Sequence, residues 1–203
     1  MITDKAIAEN IQELISNRDT ENDSYISMSS DTYDGIRYIT FTAMSNATFL
    51  ESYSLLQKIV DFTNTDGRKE TWANPHFASD WEAIKPFMMD GINKDNRIPI
   101  VLSGHGVAGA IAVIAGYHLV MQHYNLQRVV TFGAPPALNA YKTKDCLFWP
   151  LQMITEQYVL PIDKMPKLFR WTKYQSATRT VLNVIAKNGE IDSYINALKV
   201  GEL

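Results

Sequence analysis

The stretch Leu102–Ala110, L-S-G-H-G-V-A-G-A, lies between an apolar run (Ile98–Leu102) and a long apolar segment that begins at Val107. Two chemistries share this spacing. Gly104, Gly106 and Gly109 fit G-x-G-x-x-G, in which glycines let a backbone turn approach a pyrophosphate held at a helix N-terminus. The same residues fit the G-x-S-x-G turn of a nucleophile elbow with glycine in the serine's place. In that reading the small Gly104 and Ala108 keep side chains from colliding across a strained strand-to-helix turn. The first site would bind a dinucleotide, and the second would once have held the serine of an acyl-transfer enzyme.

A dinucleotide site also needs an acidic residue about 20 positions further on to grip the ribose hydroxyls. No Asp or Glu lies between Asp95 and Asp145, and the next apolar run ends in Thr131-Phe132-Gly133-Ala134. An NADP-type site would want an arginine at that strand end, whereas Arg128 sits at its beginning. The glycine spacing therefore stands without its partners. No cofactor and no metal are expected.

The elements that would position such a turn follow from hydrophobic periodicity. Ile7, Ile11, Leu14 and Ile15 share one face of a helix over Asp4–Ser16. A short strand around Tyr25–Met28 turns at Asp34-Gly35 into a strand over Ile36–Ala43. Phe49, Tyr53, Leu56, Ile59 and Val60 predict a helix over Ala47–Phe62, and Thr63–Pro75 reads as a polar surface loop. His76–Met89 reads as a helix with Pro86 marking a kink or an end. Ile98–Leu102 and Arg128–Phe132 are continuous apolar runs, as in strands buried on both faces, with a helix over Val107–His123 between them. Strands at Gln157–Leu160 and Thr180–Ala186 and a helix at Ile191–Lys199 complete the pattern. This alternation predicts an α/β fold, a mainly parallel central sheet with helices on both faces.

With 203 residues, 46% hydrophobic and 20% charged, the chain suits a single domain over residues 1–203. A formal net charge of −3 and scattered Lys and Arg residues argue against nucleic acid. The longest apolar stretch, Val107–Val120, is shorter than the ~20 residues that a bilayer crossing needs, so no membrane span is expected. The leading residues MITDKAIAENIQELISN show no basic stretch followed by an apolar core. The lone Cys146 excludes a disulfide framework and, with no histidine after it, reads as a buried apolar residue rather than a nucleophile. A cytoplasmic protein is the resulting expectation.

Val101–Ala110 resembles the strand and G-H-S-L-G-G-A elbow of the class 3, or fungal-type, lipases of the α/β-hydrolase fold, with Gly106 in the serine's place. Thr131–Pro135 resembles that family's T-F-G-x-P, and Tyr158–Pro166 its V-N-x-x-D-x-V-P. Tyr38–Met44 is similar to the strand that leads into F-R-G-T, and Pro75–Phe87 to V-H-x-G-F-x-x-x-W with Trp81 at the tryptophan. Ile191–Leu198 is similar to the tail after the family's histidine. The resemblance runs over about residues 36–200 in the family's order. It implies an α/β-hydrolase-like fold and carboxylic-ester or triacylglycerol hydrolysis by a Ser-Asp-His triad.

Carried over position by position, the resemblance puts the nucleophile at Gly106, the acid at Asp163 and the histidine at about Gly189. Acyl transfer needs a hydroxyl, an imidazole to take its proton and a carboxylate to orient the ring. Two of those three side chains are missing. The four histidines, His76, His105, His118 and His123, all precede Asp163, whereas the fold's order is nucleophile, acid, histidine. Ser103 lies three residues before the elbow tip and should point elsewhere, and His105 reads as a packing or hydrogen-bonding residue. His76, His118 and His123 read as structural or surface residues. Asp163 reads as vestigial; if it is buried, Lys164, Arg170 or Arg179 would have to balance its charge.

An oxyanion hole is different, because its donors are backbone N–H groups. The resemblance implies the amide of Val107 and one near Met44 or Ser45, none of which depends on a lost side chain. The leading expectation is therefore a catalytically inactive member of the fold that binds a partner protein or an apolar or carboxylate-bearing ligand, such as a fatty acid or lysolipid. The alternative is a lipid or carboxyl-ester hydrolase whose serine has been exchanged for Gly106 by a laboratory substitution. The dinucleotide-binding module is the third.

Overall fold

The computed structural model describes residues 2–17, 26–43, 60–63, 69–73, 75–92, 97–138, 148–167, 178–182 and 188–201. Among these, six strands form one sheet: β1 (Ile26–Tyr33), β2 (Ile36–Ala43), β5 (Ile100–His105), β6 (Leu126–Phe132), β7 (Thr155–Val159) and β8 (Thr178–Val181). They lie side by side in that order. The β1–β2 pair is antiparallel and every later pair is parallel. Five helices are described: α1 (Asp4–Ser16), α2 (Pro75–Ile92), α3 (Val107–Met121), α4 (Phe148–Ile154) and α5 (Ile191–Gly201). A parallel neighbour can be reached only by a crossover, and right-handed crossovers in one direction keep successive helices on one face. Accordingly, α2 and α3 share one core with the sheet, centred on Trp81, Met88, Ile111 and Leu102. On the opposite face α1 and α5 share a second core, in which Ile7 and Ile11 meet Val101, Val130 and Ile195.

The α1 and β2 boundaries agree with the periodicity. Thr3 caps α1 by accepting a hydrogen bond from the Ala6 amide at 3.2 Å, and Asp4 sits in the first turn, where a negative charge suits the helix dipole. Asp4 also ties the helix to the sheet. Arg128 donates to Asp4 at 2.8 Å and to Glu156 at 2.7 Å, and the Tyr158 hydroxyl donates to Asp4 as well. Arg128 is thus a structural clamp between β6, β7 and α1.

Before β5, four expectations change; beyond it, β7 (Thr155–Val159) and β8 (Thr178–Val181) each begin two residues earlier than anticipated. The strand anticipated at Tyr25–Met28 extends to Tyr33, because Asp34 (φ 54°) and Gly35 (φ 73°) make a two-residue hairpin turn with both central φ values positive. Such a turn holds β1 and β2 in register from Tyr33↔Ile36 to Ile26↔Ala43. The helix anticipated over Ala47–Phe62 ends as a strand: Val60–Thr63 is β3, and its first part lies outside the described residues. Thr63–Pro75, read as loop, contributes β4 (Lys69–Ala73), which pairs antiparallel with β3. The alternation in Val60-Asp61-Phe62-Thr63 has period two, and the preceding helical spacing masks it. Finally, α2, anticipated over His76–Met89, runs three residues further to Ile92, so Pro86 does not end it. Pro86 and Glu82, whose carbonyl loses its partner, are exposed, while Met88 and Ile92 beyond them are buried and hold the helix in place.

Among the described residues no helix is long and apolar enough to cross a membrane. Helix α3 is apolar all round because it is buried all round, between the sheet, α2 and α4. Its end differs slightly from expectation: it stops at Met121, and His123 follows in a left-handed conformation (φ 58°) on the surface.

Candidate functional site

The turns that leave the C-terminal ends of β5, β6 and β7 converge with Gly189, which precedes α5, at the edge where open parallel sheets generally carry their sites. Gly106 follows β5, Gly133 follows β6, Asp163 follows β7 and Gly189 lies between β8 and α5. Gly106 caps α3 with φ 57° and ψ −127°, a backbone conformation that residues with a Cβ adopt only under strain. Its amide donates to the Phe132 carbonyl at 2.9 Å, which seats the turn against β6. This is the strand-to-helix turn of an elbow. Val107 follows as the first residue of α3 and is fully buried.

Strain of this kind has a measurable consequence. Gly106→Ser is expected to cost about 1–3 kcal/mol, which for a domain of this size lowers Tm by about 2–12 °C. An unchanged or raised Tm in a calorimetric scan would show that the elbow is relaxed.

Asp163 is buried, at 4% exposure, and its carboxylate meets neighbours that the sequence did not single out. Tyr194 on α5 donates its hydroxyl to Oδ2 at 2.5 Å, and the Met165 amide donates to Oδ1 at 2.8 Å. The same Tyr194 oxygen accepts from the Leu160 amide at 3.3 Å. Of the cations proposed as balancing partners, Lys164 is exposed, while Arg170 and the Arg179 side chain lie outside the described set. A neutral hydroxyl and a neutral amide are thus among the groups that hold this carboxylate. A hydroxyl or amide directed at a buried carboxylate stabilises the ionised form without a second charge to desolvate.

The carboxylate lies between two glycine backbones. A Cβ at Gly133 (φ 61°) would stand 2.2 Å from Asp163 Oδ2 and 2.7 Å from the Tyr194 hydroxyl. A Cβ at Gly189 would stand 2.5 Å from Asp163 Cγ, with both carboxylate oxygens inside 3 Å. Neither position has room for a side chain while Asp163 keeps this orientation. At the position to which the resemblance assigns a histidine, the acid itself fills the space.

His105 joins the elbow to this group. Its Nε2 lies 2.8 Å from the Gly189 carbonyl, and its ring packs edge-on to Tyr194 with centroids 5.8 Å apart. Desolvation is the largest influence on the ring and lowers its pKa, opposed by the Gly189 hydrogen bond and the charges of Asp163 and Glu190. The ring is therefore neutral at pH 7. A carbonyl can only accept, so the proton sits on Nε2. The packing and hydrogen-bonding role read for His105 is the one observed.

The remaining candidates lie elsewhere. Ser103 turns away from the elbow and hydrogen-bonds Thr40 at 3.0 Å within the buried sheet. His118 packs against Trp81 (centroids 5.5 Å), and burial, assisted by Lys85, pushes its pKa down to about 4. His76 lies at the start of α2. Met44, Ser45 and Cys146 fall outside the described residues. The structure thus brings Gly106, Asp163 and Gly189 into one cluster through His105. It adds Gly133 and Tyr194, which the sequence shows only as parts of motifs.

The profile of the family described as lipase (class 3) matches residues 8–147. Comparison with curated protein sequences gave no match. Among solved structures, a nonglycosylated Yarrowia lipolytica lipase is 15% identical, with a TM-score of 0.61, over 79% of this chain and 67% of its own. A lipase of Rhizopus microsporus var. chinensis is 17% identical, with a TM-score of 0.56, over 73% and 53%. The triacylglyceride lipase of Rhizomucor miehei is 13% identical, with a TM-score of 0.58, over 78% and 62%. This chain therefore spans about two thirds or less of the length of these lipases, and at such identities the likeness speaks for the fold. The fold is α/β-hydrolase-like, and by its sequence the chain belongs to the class 3 lipase family.

Proposed function

We propose that this protein is a class 3 lipase-like protein without ester hydrolase activity, acting by binding an apolar or carboxylate-bearing ligand or a partner protein. One observation carries the loss of catalysis. The Asp163 carboxylate packs against the Cα of Gly189 and is bonded to Tyr194, so the space that an imidazole would need is taken. Gly106 offers no nucleophile at the other end of the cluster. In this reading Gly106 is the vacant nucleophile position, Asp163 the vestigial acid and Gly189 the place of the absent histidine.

Binding is supported by what the elbow keeps. The first amides of a helix have no partner within it, and the earliest such bond in α3 runs from the Ala110 amide to the Gly106 carbonyl at 3.2 Å. The Val107 amide heads a fifteen-residue helix whose dipole favours an anion at that end. A second donor from the Met44–Ser45 segment would complete an oxyanion-type cradle for a fatty-acid carboxylate. A single cysteine suits action in a reducing compartment, and we place it in the cytoplasm.

The native chain is expected to resist labelling by a fluorophosphonate, to leave short-chain nitrophenyl esters intact and to gain thermal stability with laurate. Phosphonylation or turnover above the blank would overturn the inactive reading. A flat Tm across a laurate titration would remove the fatty-acid ligand and leave the partner protein.

A further inference from the structure

A cavity of about 560 Å³ opens between α2 and the first residues of β1. This volume lies in the range of small-molecule sites, roughly 300–1,000 Å³. Among the described residues its walls are the apolar side chains of Ile26, Met28, Ala83, Ile84 and Phe87, and one charged group, Asp80, enters it. Phe87 is 71% exposed, a large apolar ring left in water at the rim. Ser27, the other polar wall residue, is already committed to Thr42 at 2.7 Å.

Asp80 differs from the other carboxylates that are buried or half-buried in the described structure, Asp4, Glu156 and Asp163. Asp4 and Glu156 share Arg128, Glu82 faces Lys85 at 3.5 Å, and Asp163 is held by Tyr194. Among the described residues no donor or cation engages Asp80, and burial alone raises its pKa to about 6. A half-buried carboxylate on an apolar wall is costly unless a cation meets it. The strand wall brings none, since Ile26, Ser27 and Met28 do not titrate.

We propose that this groove is a binding site for a small cationic amphiphile, an alkyl chain lying on Ile26, Met28, Ile84 and Phe87 with its ammonium against Asp80. None of its described wall residues belongs to the elbow, and its charge suits a cation rather than an anion, so the inference does not depend on the proposed function. A small ligand fits better than a protein partner, because the cavity's volume of about 560 Å³ is that of a small-molecule site.

The test is calorimetric titration with decylammonium and with decanol, each below its micellar concentration. At pH 7.5 the native chain is expected to bind decylammonium about tenfold more tightly than decanol. In Asp80→Asn the two affinities become equal. In Ala83→Trp, an exposed helix position that tolerates the larger ring, both fall at least tenfold because the groove is filled. The preference is also expected to shrink between pH 7.5 and pH 5 as Asp80 gains its proton. For this comparison His76, one turn before Asp80 on α2, is replaced by Gln in every protein, and His118, with its pKa near 4, stays neutral throughout. A preference that survives Asp80→Asn, or binding unchanged by Ala83→Trp, overturns the proposal. Laurate stabilisation unaffected by either variant keeps this outcome apart from that of the elbow.

Discussion

The double variant Gly106→Ser/Gly189→His, which restores both missing side chains of a triad, is expected to hydrolyse no ester and to melt well below the native chain. The obstacle is Asp163. A Cβ at position 189 would lie 2.5 Å from the Asp163 Cγ, and 2.7 and 2.9 Å from its oxygens, so the carboxylate must swing away before a histidine fits. Swinging away means leaving the Tyr194 hydroxyl and the Met165 amide. Hydrogen bonds to a charged group contribute about 1.5–3 kcal/mol each, and a buried carboxylate left without them costs at least as much. The elbow strain of Ser at position 106 adds about 1–3 kcal/mol.

Adding Tyr194→Phe to this variant releases the Tyr194 bond in advance. The marginal cost of Gly189→His is then expected to be smaller in the Tyr194→Phe background, a non-additivity that a thermodynamic cycle reads directly. Ester turnover by the double variant, with a pH dependence of imidazole type, would show that the cluster can still accommodate a base. Turnover restored by Gly106→Ser alone would instead indicate a hydrolase disabled at one position, with its base supplied from elsewhere.

How much of this was legible beforehand depended on how local the cause was. The bounds of α1 and β2 and the turn at Gly106 are set within a few residues, by a Thr cap, a two-residue Asp-Gly turn and flanking small residues. Each leaves a mark in the string. The placing of Asp163 beside the site was likewise readable, because Tyr158–Pro166 carries it as a motif. Its partner was not. Tyr194 lies 31 residues away on a different element, and nothing in I-D-S-Y-I-N-A-L distinguishes a core tyrosine from one whose hydroxyl meets a carboxylate. Buried charge suggested a cation such as Lys164, since chemistry alone says only that a partner must exist. The steric meaning of Gly189 was hidden for the same reason. A glycine reads as an empty position until the group occupying its space is located.

Gly104→Ala is expected to be the most damaging single change outside Asp163's surroundings, leaving little or no soluble folded protein. A Cβ at Gly104 would lie 2.6 Å from both the backbone carbon and oxygen of Ala108, and 2.7 Å from the Gly109 nitrogen. These are main-chain atoms of the first turn of α3, so no rotamer change relieves the clash. The helix itself would have to lift from β5, and it is buried along nearly its whole length. Overpacking a core costs about 1–3 kcal/mol where side chains can adjust; here a rigid element must move, and about 3 kcal/mol is the lower bound. Gly91→Ala is the matched control, since a Cβ there meets nothing within 4 Å and α2 should gain from losing a helical glycine. Urea denaturation of the two variants against the native chain decides the matter. A Gly104→Ala protein as stable as Gly91→Ala would mean that α3 does not seat on β5 at this crossing. The Val107 amide would then lack the fixed position on which the anion-binding reading of the elbow depends.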